Sequence, residues 1–177
     1  MKKHLSLRSM SFCALFAAIT AVCSQIVIPL PSMVPISLSL LAVNLSGALL
    51  GAYGGSASQI VYLLLGAVGV PVFSQFRGGL GVLAGPTGGY IIGYIFSALI
   101  VGLVAQRFGR SFWRLVAGMV LGTAACYIFG TAWFMVLTGK GLIVALSACV
   151  LPFLPGDAVK IALASFLAVR LYPHLPK

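Results

Sequence analysis

Two side chains in this sequence combine opposite charge, helical spacing and an apolar setting: Asp157 and Lys160, within LPFLPGDAVK at residues 151–160. Asp157 is the single acidic residue among 177. Spaced i, i+3, the pair falls on one helix face, where the charges can neutralise each other or jointly grip a polar ligand. Pro155 suits a first helical turn, and a carboxylate just behind it is favoured by the helix dipole. An ionised group in hydrocarbon is expensive, and those that persist usually face a bundle interior and mark a ligand or ion path. The plainer alternative is that Asp157 caps the helix and Lys160 snorkels outward. A cap needs no charge, since Ser or Asn would serve, so a lone carboxylate points to acceptor chemistry.

Other polar side chains interrupt apolar runs at Asn44, Gln59, Gln75 and Arg77. Asn44 and Gln59 fit interhelical hydrogen bonding, with ligand contact as the alternative. Gln75 and Arg77 lie close in sequence to Phe73, Phe76 and Tyr90, the mix of aromatic wall and few polar anchors expected of a small-molecule pocket. Arg77 could equally be a loop cation in water. Small residues recur along the first apolar segment, as Ala14 with Ala18 and Ala17 with Ala21, a spacing that admits a partner helix or serves ordinary intramolecular packing.

Enzymatic constellations are missing. The chain has no HExxH, no GxSxG and no second carboxylate to pair with Asp157 for acid/base or two-metal work. TGKG at residues 138–141 departs from a phosphate loop, which wants glycine where Phe134 stands and Ser or Thr where Gly141 stands. Cys13, Cys23, Cys126 and Cys149 lie inside apolar runs without CxxC pairing, so neither a zinc site nor a disulfide framework is indicated. We expect no catalysis, no nucleotide hydrolysis and no cofactor.

The elements that must position these residues follow from composition. Hydrophobic residues make up 61% and charged residues 7% of the chain, and the mean hydropathy is +1.15, far from the globular norm of about half apolar and about a quarter charged. These values indicate an integral membrane protein, because lipid is the solvent in which such surface costs nothing. At about 20 residues per span, the length allows roughly five or six helices and no separate soluble domain. Residues 1–177 are accordingly read as one transmembrane domain. The net charge of +10 comes from basic residues scattered in ones and twos, which argues against a nucleic-acid stripe. The basic, then apolar N-terminus resembles a signal peptide, but Val22 precedes Cys23 where a lipoprotein site wants a small residue, and further apolar segments follow. It is read as a retained first helix.

That helix is expected at about residues 10–28, stopped by Pro29 and the PLPSMVP stretch. A second at about 38–53 turns at Gly54-Gly55 into a third at about 56–68. Residues 69–89, rich in glycine, do not form a regular helix; irregular backbone at membrane depth survives where protein or a water-filled cavity satisfies it, so this segment should line a site. Further helices are expected at about 90–106, 113–137 and 155–171, with 142–151 too short to span and therefore re-entrant or interfacial. With six spans and a cytoplasmic N-terminus, Lys2, Lys3, Arg8, Arg107, Arg110, Arg114, Arg170 and Lys177 fall inside, and only Arg77 and Lys140 outside. Eight against two satisfies the positive-inside rule with both termini cytoplasmic.

The strings GAVGVPVFSQFRGGLGVLAGPTGGYIIGY, GTAWF and LPFLPGDAVK resemble the signature segments of BioY, the biotin-specific S component of energy-coupling-factor (ECF) transporters, and the similarity extends over essentially the whole chain. The resemblance implies an all-α, six-helix bundle holding biotin near the external face of the bacterial cell membrane. It implies as partners a transmembrane coupling subunit and two cytoplasmic ATPases, with Ala14 and Ala18 as the docking surface. Asp157 would then accept from the ureido N–H groups of biotin and Lys160 donate to its carbonyl, bonds of the charge-assisted kind. Gln75 stands where the family commonly has Asn. Phe73 and Tyr90 would flank the ring system or tail. Backbone N–H groups around Gly85, Thr87, Gly88 and Gly89 could receive the valerate carboxylate, with Arg77 as their rival, and Asn44 is kept among the candidate contacts. The competing class is a self-sufficient carrier in which Asp157 and Lys160 relay protons; an intramembrane enzyme is disfavoured by the shortage of acid/base groups.

Overall fold

A computed structural model describes residues 7–28 and 36–174. Pro29, Lys2, Lys3 and Lys177, used above to place a helix stop and basic charge, lie outside the described residues. The chain is almost wholly helical. Helix α1 (Leu7–Gln25) leads into a two-residue antiparallel ladder, β1 (Val27–Ile28) with β2 (Ile36–Ser37). Helix α2 (Ser39–Ala67) follows, then an irregular segment holding a 3₁₀ turn (Ser74–Phe76) and the short α3 (Leu80–Leu83). Next come α4 (Gly88–Phe108), α5 (Phe112–Thr138), α6 (Leu142–Cys149), α7 (Leu154–Leu171) and a terminal 3₁₀ turn (Tyr172–His174).

Helix α2 is a hairpin. Gly51 takes φ 77° and ψ −176°, a conformation that glycine adopts without the penalty a Cβ brings. The Gln59 amide donates to Ser46 Oγ at 3.1 Å, although thirteen residues along a straight helix would separate them by about 20 Å. A Cβ on Gly55 would lie 2.7 Å from Gly47 Cα, so the arms 39–50 and 52–67 run back to back with glycine against glycine. The expected reversal is therefore present, but at Gly51 rather than at Gly54-Gly55. The latter pair continues the second arm, because the reversal needs a positive φ and only Gly51 has it there.

Four described helices, α1, α2, α4 and α5, are each long and apolar enough to cross a membrane, and α6 with α7, bent by 53°, makes a fifth candidate. Helix α5 ends at Gly139, whose left-handed φ of 66° lets its N–H reach Met135 O at 2.9 Å. Pro155 sits in the first turn of α7 with Asp157 behind it. The first helix begins and ends three residues earlier than expected. The segment 69–89 is irregular but carries two short helical pieces.

Helix α4 lies between α2 and α5, α1 packs on α2, and α7 packs on α2 and α5. Close approach is secured by glycine: a Cβ on Gly102 would fall 2.3 Å from Ala52 N, and one on Gly47 would fall 2.5 Å from Ala98 O. One core cluster gathers Phe16, Leu49, Val101, Met119 and Ala164; a second gathers Tyr90, Cys126, Phe134 and Phe153, and a third Ala17, Tyr62, Phe73 and Ile91. Side chains such as Val22, Ile128, Val136 and Ile143 are exposed, as a lipid-facing surface requires.

The two ends of the bundle differ in charge. At one end the Gly51 reversal meets Gln106, Arg110 Nε donates to Ala48 O at 2.8 Å, and the Arg110 guanidinium covers the Tyr172 ring at 3.7 Å. The Cys13 thiol donates to Gly54 O at 3.4 Å, which brings the start of α1 to this end. Arg8, Arg107, Arg110, Arg114 and Arg170 all belong to segments gathered there. The opposite end holds the β1–β2 ladder, the irregular segment and α6, with Arg77 and Lys140.

Candidate functional site

Asp157 and Lys160 are both buried, at 4% and 6% exposure, one turn into α7. Lys160 Nζ lies 2.7 Å from Asp157 Oδ1. Tyr127 of α5 donates its hydroxyl to the other carboxylate oxygen, Oδ2. The capping and snorkelling alternative does not describe this geometry, since the lysine points inward to its partner and the helix start has no side-chain cap bond. Burial of two charges is tolerable only with close pairing and added hydrogen bonds, and both are present.

The pair opens on a small cavity of about 50 Å³, part of it continuous with solvent. Its lining adds Ser37, Leu40, Tyr90, Tyr94, Cys126, Tyr127 and Phe153. Helices α4 and α5 thus supply an aromatic wall. Tyr94 is fixed through Ser39 Oγ at 2.6 Å, which itself meets Ser37 Oγ at 2.5 Å. Tyr90 is held by Thr131 Oγ1 at 3.5 Å and by Cys149 O at 3.4 Å, the latter tying α6 to the wall. A Cβ on Gly130 would strike the Tyr90 ring at 2.3 Å, so that glycine sets where the ring lies.

The remaining valences define what the cavity can bind. A carboxylate offers about four lone-pair sites and an ammonium three N–H donors. Lys160 and Tyr127 use one lone pair each and Lys160 spends one N–H, so acceptors and donors remain side by side. This arrangement complements a ligand carrying N–H and C=O on one edge.

Of the residues singled out from the sequence, Asp157, Lys160 and Tyr90 line this cavity. The others lie elsewhere. Asn44 is fully buried between α2 and α4, accepting from Ser97 Oγ at 3.2 Å with its Nδ2 unpaired. Gln59 bonds Thr20 and Ser46. Phe73 is buried edge-on against Tyr62, with centroids 5.5 Å apart, and Tyr62 in turn lies 6.4 Å from Tyr94. Gln75 and Arg77 are exposed in the loop just beyond Phe73. Gly85 O accepts from Trp133 Nε1 at 3.0 Å, while Thr87 precedes α4. Gly88 and Gly89 are packed so tightly that a Cβ would come within 1.7 Å of Leu83 O and 2.3 Å of Trp133 Cβ respectively. Ala14 and Ala18 are exposed on α1, whereas Ala17 is buried and Ala21 packs beside it; the first pair lies on the outward side of the helix and the second on the adjoining side that packs on the bundle.

Tyr127, Tyr94, Phe153, Ser37 and Leu40 are lining residues that the sequence does not single out, and Cys126, considered there only for metal or disulfide chemistry, lines the cavity as well. Tyr94 and Phe153 had a signal, lying four residues after Tyr90 and four before Asp157, hence on the same helix faces. Tyr127 had none, because its approach to Asp157 depends on how α5 crosses α7.

The sequence pattern of the BioY family matches residues 1–177. The chain is 36% identical to the biotin transporter BioY of Thermotoga maritima over 165 residues, covering 93% of this chain and 96% of that protein. It is 34% identical to the biotin transporter BioY of Rhodobacter capsulatus over 181 residues, covering 96% and 95%. Among solved structures, the S component for biotin from an ECF-type ABC transporter superposes with a TM-score of 0.88 at 25% identity, covering 97% of this chain and 94% of that one.

Proposed function

The chain belongs to the BioY family, and on that premise we propose that it captures biotin as the substrate-binding subunit of an ECF-type importer. It is a membrane transport protein rather than an enzyme, like its named relatives. The observation that carries the reading is the buried Asp157–Lys160 pair, steadied by Tyr127 and open to the cavity. A cyclic urea presents N–H donors beside a carbonyl, matching the free acceptor sites of Asp157 and the free donors of Lys160. Leaving such ligand groups unpaired in a dry pocket would cost about 1–3 kcal/mol each. The tyrosines and Phe153 offer the apolar surface that a fused ring needs.

The other roles are part of the same proposal. Gln75, Phe73 and Arg77 would act from the loop beside the cavity, and Gly85, Thr87, Gly88 and Gly89 from the entry to α4. Asn44 would act only indirectly, from between α2 and α4. Residues 1–177 would form a single substrate-binding domain of six crossings, α2 contributing two through its reversal at Gly51. The arginine-rich end of the bundle would face the cytoplasm with both termini, following the positive-inside rule. A membrane-impermeant thiol reagent should then reach a cysteine placed at Lys140, in a background with the four natural cysteines replaced, from outside intact cells; labelling only after permeabilisation would reverse the orientation. A transmembrane coupling subunit and two ATPases would supply the energy. The proton-relay carrier is disfavoured, because the superposed S component comes from an ABC transporter.

The direct test is calorimetric titration of biotin into the purified chain, with riboflavin and thiamine as controls. One-to-one heat with biotin alone is expected; equal heats with the other vitamins, or none with biotin, would reject the reading.

A further inference from the structure

Gln25, the last residue of α1, holds more of the external end of the bundle than any group so far assigned a role. Its Nε2 lies 3.1 Å from both Val72 O and Phe73 O, and within 3.2 Å of Ala21 O and Ser24 Oγ. Its Oε1 accepts the Phe76 N–H at 2.8 Å. The neighbouring Ser24 donates to Val72 O at 2.5 Å. One amide thus grips residues 72, 73 and 76 with both its donor and its acceptor ends, across about fifty positions of sequence.

The segment it grips needs external support. Gln75 and Phe76 are consecutive non-glycine residues with positive φ, 63° and 55°, a left-handed pairing that L side chains rarely adopt. The Phe73–Arg77 bridge closes this turn from within, through N–H to O bonds of 2.9 and 3.3 Å. Gln25 also borders the other external loop: Leu38 N donates to Ile26 O at 3.2 Å, and Val27 pairs with Ser37, which lines the cavity. On the other side, Phe73 reaches Tyr94 of the cavity wall through Tyr62.

We infer that Gln25 is a positioning residue for the ligand site, its amide locking the 72–77 turn beside the cavity and joining it to the loop that carries Ser37. The inference rests on the proposed biotin site. It predicts that the turn is held before ligand arrives and that loosening it weakens capture without unfolding the bundle.

Arg77, exposed within the turn, supplies a direct readout, since trypsin cleaves after it; exposed Lys140, remote from Gln25 in sequence, serves as the internal control. Gln25→Ala removes every contact, and Gln25→Glu keeps the acceptor for the Phe76 N–H while losing both donated bonds. In the purified full chain, both variants should be cut faster at Arg77 with cutting at Lys140 unchanged. Biotin affinity should fall at least about tenfold in Gln25→Glu, which loses two hydrogen bonds of ordinary strength, and further in Gln25→Ala, which also loses the accepted one. Gln25→Glu folds even where Gln25→Ala does not if the retained acceptor matters, which keeps the comparison available. Unchanged cutting at Arg77 overturns the inference, and so does faster cutting with unaltered biotin affinity. A wild-type chain that does not bind biotin rejects the functional reading and with it the positioning role, while the cleavage rates still report whether Gln25 holds the turn.

Discussion

At the scale of residues, the chemistry turns on a carboxylate that is at once a partner and an acceptor. Removing the ammonium alone leaves a carboxylate at 4% exposure with Tyr127 as its remaining donor, and breaking a buried pair from one side costs about 3–5 kcal/mol. Lys160→Met should therefore lower the melting temperature more than Asp157→Asn, because Asn keeps acceptor and donor capacity without charge. The double variant Asp157→Asn, Lys160→Met should recover much of that loss, since no unpaired charge stays buried. Biotin binding should nevertheless fall by about ten- to a hundredfold in Asp157→Asn, the cost of weakening a bond to a charged group. Thermal unfolding and titration of the three variants separate the two effects. Undiminished affinity in Asp157→Asn would return Asp157 to a structural role.

At the scale of elements, the site depends on helices brought closer than side chains usually allow. Gly102 of α4 lies against the backbone of Ala52, where an added Cβ would sit 2.3 Å from the nitrogen. At Gly51 the added Cβ would meet only the end of the Gln106 side chain, at 2.2 Å, which can swing away, but the φ of 77° remains unfavourable. Gly51→Ala should then destabilise by about 1–2 kcal/mol, the cost of left-handed backbone for an L residue, while Gly102→Ala should cost more because neither backbone can yield. Comparing the unfolding temperatures of the two variants tests this order. Equal losses would mean that α2 and α4 can separate without strain.

At the scale of the whole molecule, the proposed function would have the outward face of α1 separate capture from transport. Ala14 and Ala18 are exposed while Ala17 is buried against the bundle, so enlarging the former pair should leave the cavity intact. Ala14→Leu with Ala18→Leu is expected to keep biotin affinity within about twofold, in line with the small effects of substitutions away from packed features, and to abolish ATP-dependent uptake in cells that hold the partner subunits. Unimpaired uptake would remove α1 from the docking surface.

The sequence by itself determined the membrane setting, the helical character and the ionisable pair, because each depends only on composition, on run length and on the i, i+3 spacing of Asp157 with Lys160. It also carried the family likeness. The tertiary structure decided what surrounds that pair. Tyr127 reaches Asp157 across thirty residues, Gln25 reaches the 72–76 turn across some fifty, and the chain reverses at Gly51 rather than at Gly54-Gly55. Local periodicity shows which face a residue occupies, but which face meets which is set by the glycine contacts where helices cross, and those form only once the bundle has closed.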